Sequence, residues 1–431
     1  VSVARSEDET WVIGRRGPLR GTIGVPGDKS VSHRALLFNL LADRPARVRG
    51  LLQSEDVEAT AAAVRQLGAT IEGDPSDLVV TPPARLIEPA DVVDCGNSGT
   101  SIRLLTGLLA AEPLFAVLTG DASLRSRPMK RVAEPLRAMG ARIDGRDHGA
   151  RAPVAVRGGD LRPFDADLTV ASAQVKSAIL LAGRKVGGRV REPSKSRDHS
   201  ERMLRGMGAQ LREDADGWLH LAPIDRLSAL DVQVPGDVSA SAFFLVAASI
   251  VAGSEVRIRG VGVNPTRTGV LDALRAMGAD VEVHPVDADG AEPIADLVVR
   301  HAPLTGARID GDVALRALDE LPVLAVAAAF ADGETVIADA EELRVKESDR
   351  IARMVAGLVA CGVDAEERKD GMVIRGGRVP GGGRVNAFGD HRIAMSFSVL
   401  GLAADAEVTI DGAGSVRSSF PAFRAHLDAL T

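Results

Sequence analysis

Tyrosine is absent from this 431-residue chain, tryptophan occurs twice, and aromatic residues make up only 3%. Few flat rings are left to stack on bases, which weighs against single-stranded nucleic-acid binding. Cysteine is scarce too. Cys95 and Cys361 supply neither a disulfide framework nor a metal-ligand spacing, and no metal or other cofactor is expected. A basic excess is also lacking, since 52 Lys and Arg stand against 59 Asp and Glu, a net charge of −7. Broad polyanion binding is disfavoured on that count, although a local basic cleft for a small anion stays open. No stretch approaches about 18 consecutive apolar residues, and the N-terminal segment shows no signal-peptide core. A soluble cytoplasmic protein is the expectation.

What the chain does have is repetition. Val-Pro-Gly-Asp occurs at Val25–Asp28 and again at Val234–Asp237, each time opening a long apolar helix. Glycine closes amphipathic segments at Gly68, Gly140, Gly208, Gly278 and Gly362. Three of these sit in one phrase: Leu136-Arg137-Ala138-Met139-Gly140, Leu204-Arg205-Gly206-Met207-Gly208 and Leu274-Arg275-Ala276-Met277-Gly278. Glycine fits the left-handed position just past a helix end. A period of about 70 residues, three times in each half, predicts a fold made by copying one unit.

Each unit should pair an amphipathic helix with one that is apolar all round and therefore buried. The apolar helices are expected at 102–111, 175–182, 242–252, 321–331 and 393–404. Short alternating runs such as Ala155-Val156-Arg157 and Val281-Glu282-Val283 read as strands. Polar residues open the apolar helices, namely Ser30, Asn97 to Thr100, Ser172, Ser239, Asp319 and Asp390. Helix N-termini carry unpaired N–H groups and a positive dipole end, so several of them converging would attract anions.

The candidate chemistry lies at those openings. Gly27-Asp28-Lys29-Ser30 continues to Arg34, with Ser30 as the expected cap; the second copy has Val238 and Phe243 in place of Lys29 and Arg34. That divergence marks the first copy as functional. Asp94-Cys95-Gly96-Asn97-Ser98-Gly99-Thr100-Ser101-Ile102-Arg103 lets a ligand approach backbone, yet lacks the Gly-Lys-Ser/Thr of a Walker A loop. Cys95 reads better as a small buried residue than as a nucleophile. Further anion candidates are Arg127, the Ser172-Ala173-Gln174-Val175-Lys176 stretch and Arg197-Asp198-His199. The densest charge cluster is Arg344-Val345-Lys346-Glu347-Ser348-Asp349-Arg350, with Asp390-His391-Arg392 farther on, and Lys346-Glu347 is expected to open a helix. An exposed charge network would look similar, but Asp319 and Glu320 abut an apolar run where an idle carboxylate is costly. A carboxylate held among cations and apolar walls is suited to general acid or base work.

Taken together, Pro26 to Arg34, Gly96 to Arg103, Arg344 to Arg350 and Asp390 to Met395 resemble the 5-enolpyruvylshikimate-3-phosphate synthases, and the resemblance runs from about Leu19 to Phe423. Ser172-Ala173-Gln174 with Lys176, Arg197-Asp198-His199-Ser200-Glu201 and Asn264-Pro265-Thr266-Arg267 resemble the class II branch, known for reduced sensitivity to glyphosate. The resemblance implies an α/β fold of two inverse α/β barrels, with six βαβαββ units, three per domain. Residues 1–24 with 236–431 would form one domain and 25–235 the other. The hinges would lie near 25–28 and 234–237, and the domains would close over their substrates.

It also implies transfer of the enolpyruvyl group of phosphoenolpyruvate to the 5-hydroxyl of shikimate 3-phosphate, releasing phosphate, in aromatic amino-acid biosynthesis. Lys29, Ser30, Arg34, Ser172, Ala173, Gln174, Arg197, Asp319 and Lys346 would hold shikimate 3-phosphate. Lys29, Asn97, Gly99, Arg127, Gln174, Glu347, Arg350 and Arg392 would surround phosphoenolpyruvate. Asp319 would deprotonate the hydroxyl, and Glu347 with Lys29 would protonate the methylene. No metal is implied, the partners are these small molecules alone, and a monomer is expected. The chain departs from class I members at Glu342 and Leu343, where they carry Asn and Trp, and near Ser418, where they carry Lys. A known tolerant class II enzyme has Ala where this chain has Gly99. Two rivals remain. The sister transferase acting on UDP-N-acetylglucosamine carries a Cys before its Arg-Pro, whereas Gly120 to Pro128 has none. A plain anion-binding scaffold would leave Asp319 and Glu347 unexplained.

Overall fold

The computed structural model describes residues 9–286 and 291–431, so the first eight residues of the expected 1–24 segment lie outside the described residues. Largely apolar sequences build the buried helices Gly99–Ala110, Ala173–Gly183, Val238–Ile250, Leu321–Ala329 and His391–Ala403, while the sixth, Lys29–Asn39, also buries Ser32, His33, Arg34 and Asn39. Gly107 shows how closely they pack, for a Cβ there would lie 2.2 Å from the Ala178 carbonyl oxygen of the neighbouring helix. None of the described helices is long and apolar enough to cross a membrane.

Around the buried helices lie six small sheets: five share one pattern, a parallel pair followed by two antiparallel strands, and the sixth has a parallel pair followed by one. In one of them Val93–Asp94 runs parallel to Phe115–Thr119, which is antiparallel to Val154–Arg157, which is in turn antiparallel to Arg142–Gly145. The chain divides into two compact units. The first holds Gly27–Val234 with the described part of Asp289–Glu292, and the second holds the described parts of Val1–Pro26, Pro235–Ala288 and Pro293–Thr431. Three sheets belong to each. The strand just before each Val-Pro-Gly-Asp segment belongs to the unit that the following helix leaves. Arg20–Gly24 pairs in parallel with Glu255–Gly262 of the second unit. Val232–Gln233 pairs in parallel with Ala46–Arg49 of the first. Thr10–Ile13 completes another second-unit sheet, antiparallel to Val408–Asp411.

The five repeated glycines stand two residues past the helices Glu55–Gln66, Lys130–Ala138, His199–Gly206, Gly269–Ala276 and Arg350–Ala360. Their φ angles lie between +80° and +108°, the left-handed region where a Cβ is strained. The caps correct the sequence reading. Asp28, not Ser30, caps the first buried helix, accepting from the Val31 N–H at 2.9 Å. Asp237 does the same for its counterpart, so Ser239 lies inside that helix. Lys346 and Glu347 do not open a helix; they lie in the turn before Arg350–Ala360, which Asp349 caps. In each case the carboxylate of an Asp just before the first turn accepts a backbone N–H of that turn.

His33 sits at the centre of the first buried helix. Its Nδ1 lies 2.7 Å from Thr60 Oγ1, and Nε2 has no hydrogen-bonding partner among the described residues. Burial foremost, then the charges of Lys29 and Arg34, hold the ring well below its ordinary 6.5, so it folds neutral.

Two expectations follow from these elements. Gly278→Ala meets no atom closer than the Pro303 carbonyl at 3.5 Å, so backbone strain alone should cost about 1–2 kcal/mol in urea unfolding. An unchanged midpoint would contradict the left-handed assignment. Below about pH 6.5 the unfolded His33 ring takes up a proton that the folded ring refuses, so stability present above that pH is lost as pH falls, by up to about 1.4 kcal/mol per unit. His33→Gln should flatten that slope relative to wild type, and parallel slopes would show that His33 charges in the fold.

Candidate active site

In the first unit, three helix openings bring their polar residues into hydrogen-bonded sets. Gly99 begins its helix with Ser98 as cap, donated to by the Ser101 N–H at 3.1 Å. Four residues on, buried Arg103 donates from Nη1 to the Gly99 carbonyl at 3.3 Å and to Gln174 Oε1 at 2.5 Å. Gln174 in turn donates to Thr100 Oγ1 at 2.9 Å. Arg127 donates to Asn97 Oδ1, and Asn97 donates to Asp121 at 2.7 Å. Gly99 and Gln174 are thus joined in one set and Asn97 and Arg127 in another, and Arg103, which also donates to the carbonyl of Pro128 beside Arg127 at 3.2 Å, is the residue that sequence reasoning left without a role. Its position one helical turn after Gly99 was the available signal.

Lys29 pairs with Asp56. Arg34 is only 2% exposed and donates to the Ser30 carbonyl at 2.9 Å, Ser200 Oγ at 2.7 Å and Ser177 Oγ at 3.0 Å. Burial brings its pKa down to about 10, although Glu201 and Asp28 support the charge. Ser172 caps its helix through Val175, placing Ala173 and Gln174 in the first turn. Arg197 is half-buried, and its charge bears on Arg34. Cys95 is fully buried, and burial pushes its thiol far above the usual range, which suits a packing residue.

The second unit holds a cluster around one guanidinium. Arg350, 1% exposed, donates to Asp390 at 2.8 Å, to Glu347 at 2.5 Å and to Asp319 at 3.3 Å. Burial opposes its charge, yet Asp390, Glu347 and Asp319 hold it more firmly protonated than usual. Asp319 also lies 3.9 Å from Lys346 Nζ and 3.9 Å from Arg392 Nη2, while Arg392 Nη1 donates to the Asp319 backbone carbonyl at 2.9 Å. Asp319, Lys346, Glu347, Arg350 and Arg392 are therefore brought together, with Asp319 facing three cations. Beneath it, buried Glu320 accepts from Ser239 Oγ, and Arg267 donates to the same hydroxyl at 2.7 Å. Sequence reasoning quoted Arg267 only within a motif, because its partners lie far along the chain.

A comparison with known proteins bears on this arrangement. The sequence profile described as EPSP synthase (3-phosphoshikimate 1-carboxyvinyltransferase) matches residues 13–427. A 3-phosphoshikimate 1-carboxyvinyltransferase of Geobacter sulfurreducens is 54% identical over 414 residues, covering 95% of this chain and 96% of that protein. Among solved structures, an EPSP synthase from Acinetobacter baumannii is 42% identical with a TM-score of 0.87, covering 98% of both chains. The enolpyruvyl transferase NikO from Streptomyces tendae, 17% identical with a TM-score of 0.77 over 98% of both chains, shares the fold alone. With buried helices capped at their polar openings, six repeated sheets and a profile match along nearly its whole length, the chain belongs to the family of EPSP synthases, the 3-phosphoshikimate 1-carboxyvinyltransferases.

Proposed function

We propose that the two basic clusters share the work of the reaction that this family membership gives the chain: transfer of the enolpyruvyl group of phosphoenolpyruvate to the 5-hydroxyl of shikimate 3-phosphate. The observation that carries the division of roles is Asp319. A carboxylate facing Lys346, Arg350 and Arg392 at the opening of a buried apolar helix stands among the cations that anionic substrates need, where it can accept the proton of a bound hydroxyl. A binding scaffold has no use for such a group among the cations its ligand needs.

In this reading Lys29, Ser30, Arg34, Ser172, Ala173, Gln174, Arg197, Asp319 and Lys346 hold shikimate 3-phosphate. Three of the five Arg34 N–H bonds are committed internally, which fixes the Lys29–Ser30 turn and leaves two for the ligand. Lys29, Asn97, Gly99, Arg127, Gln174, Glu347, Arg350 and Arg392 surround phosphoenolpyruvate, whose carboxylate and phosphate suit arginine forks. Asp319 accepts the proton of the 5-hydroxyl as its oxygen bonds to C2 of phosphoenolpyruvate. Glu347, with Lys29, delivers a proton to the methylene carbon, giving a tetrahedral adduct. Return of one methyl proton to the Glu347 carboxylate then reforms the double bond as the bond from C2 to the phosphate ester oxygen breaks and phosphate departs with the electron pair.

Phosphate release from phosphoenolpyruvate, run in parallel with shikimate 3-phosphate and UDP-N-acetylglucosamine, tests the reaction. Release with the first alone is expected, and Asp319→Ala should lower kcat at least about a hundredfold. Release with neither acceptor from a folded chain would leave only a binding scaffold. A second expectation concerns Gly99, where a Cβ would lie 2.7 Å from Arg103 Nη1 and 3.2 Å from Arg127 Nη1. These are flexible side-chain ends that can give way a little, so Gly99→Ala should still bind phosphoenolpyruvate. The longer inhibitor glyphosate has less room, and its inhibition constant should rise more than the phosphoenolpyruvate KM. Equal rises would refute this.

A further inference from the structure

Lys176 is buried one turn into the helix whose opening carries Ser172, Ala173 and Gln174. Its ammonium lies 2.6 Å from Glu192 and 2.7 Å from Glu201. Burial works to lower its pKa, but Glu201 and Glu192 carry it above the ordinary value, so it stays charged. Neither carboxylate has a role in the reaction described above.

Glu192 stands out by what else it holds. Its Oε1 accepts from the backbone N–H of Ser172 at 2.8 Å and from Ser196 Oγ at 2.7 Å. Its Oε2 takes the Lys176 ammonium, lies 2.8 Å from the same Ser196 hydroxyl, and accepts from the Ser196 N–H at 3.4 Å. One side chain, 6% exposed, therefore ties down the residue that opens the Ala173–Gly183 helix and the residue that immediately precedes Arg197. A carboxylate is required, since only an acceptor with two oxygens and about four lone pairs can serve these donors at once. The Lys176 ammonium packed against it adds a charge-assisted contact to these hydrogen bonds.

We infer that Glu192 is a positioning residue for shikimate 3-phosphate: it locks Ser172 and Arg197, on separate segments of the first unit, into the spacing that the ligand needs. The inference rests on the site assignment proposed above and extends it to a residue outside the ligand shell. Glu192 touches none of the residues assigned to phosphoenolpyruvate; of them only Gln174 lies on the helix whose opening Glu192 holds, and its side chain is tied separately to Arg103 and Thr100. Its binding should depend on Glu192 far less. The cavity of about 220 Å³ beside Lys176, Glu192 and Glu201 gives water room to replace a truncated side chain.

Glu192→Ala and Glu192→Gln test this by calorimetric binding of shikimate 3-phosphate alone and by steady-state kinetics at saturating shikimate 3-phosphate. In the alanine variant the Kd for shikimate 3-phosphate should rise about tenfold, as expected for losing buried charge-assisted hydrogen bonds. The KM for phosphoenolpyruvate should stay within about twofold of wild type. Glutamine keeps one acceptor oxygen for the Ser172 N–H and should recover part of the loss. A merely structural role would lower the melting temperature and the active fraction without that selective shift, and would overturn the inference. So would equal changes for both substrates, or none. Should the alanine variant not fold, Ser196→Ala, which cuts only the tie next to Arg197, must show the same selective rise or the inference fails. A wild-type chain that neither binds nor turns over shikimate 3-phosphate would overturn the underlying site assignment as well. A fully active wild type with indifferent variants would overturn the Glu192 role alone.

Discussion

A guanidinium buried almost completely, as at Arg350, is stable only if carboxylates come with it. Removing an ion of this size from water costs several kcal/mol even after relaxation, and only close, well-oriented counter-charges offset it. Asp390, Glu347 and Asp319 supply them, and each comes from a different element: a helix cap, a turn, and the opening of an apolar helix. The three elements are therefore placed by one charge. In the first unit Arg34 is met by neutral oxygens instead, gathering Ser30, Ser177 and Ser200 from three helices, while the charges of Glu201 and Asp28 support it. In both units the buried cation acts as an organiser, and the groups that face ligand hang from it.

The duplicated opening shows how such a site arises from a plain architectural part. Asp28 and Asp237 cap their helices in the same way. Five residues further on than Lys29 and Val238, the copies have gone in different directions. Arg34 enters a polar network, while Phe243 packs edge-on against Phe423 with ring centroids 5.7 Å apart. Fold and cap were retained in both copies, and chemistry was added to one.

Much of this was readable from local pattern. Left-handed glycines, all-apolar helices and alternating strands depend on neighbours a few residues away, and there the reading matches the structure. Caps were less legible, because Asp and Ser compete for adjacent positions and the winner depends on which backbone N–H is in reach. Ser30 lost that competition to Asp28, and Asp237 takes the same place in the second copy. Least legible were Arg103, Glu192 and Arg267, whose meaning lies in distant partners. Nothing in the order of residues around Glu192 announces that it accepts from Ser172, twenty positions back, because two strands and a buried helix must first fold the chain onto itself.

The strand exchange at the two Val-Pro-Gly-Asp segments has a consequence for synthesis. Val232–Gln233 closes the first unit's sheet, so the three sheets of that unit can all be formed as soon as residue 233 clears the ribosome. Arg20–Gly24 is made long before, yet its partner Glu255–Gly262 and the sheet around it come only afterwards. Thr10–Ile13 waits longer still, for Val408–Asp411. At ordinary elongation rates these early strands stay without partners for on the order of tens of seconds. An unpaired edge invites wrong pairing. Charge and glycine in Arg20-Gly21-Thr22-Ile23-Gly24, with a single buried position at Ile23, make that strand a poor template while it waits.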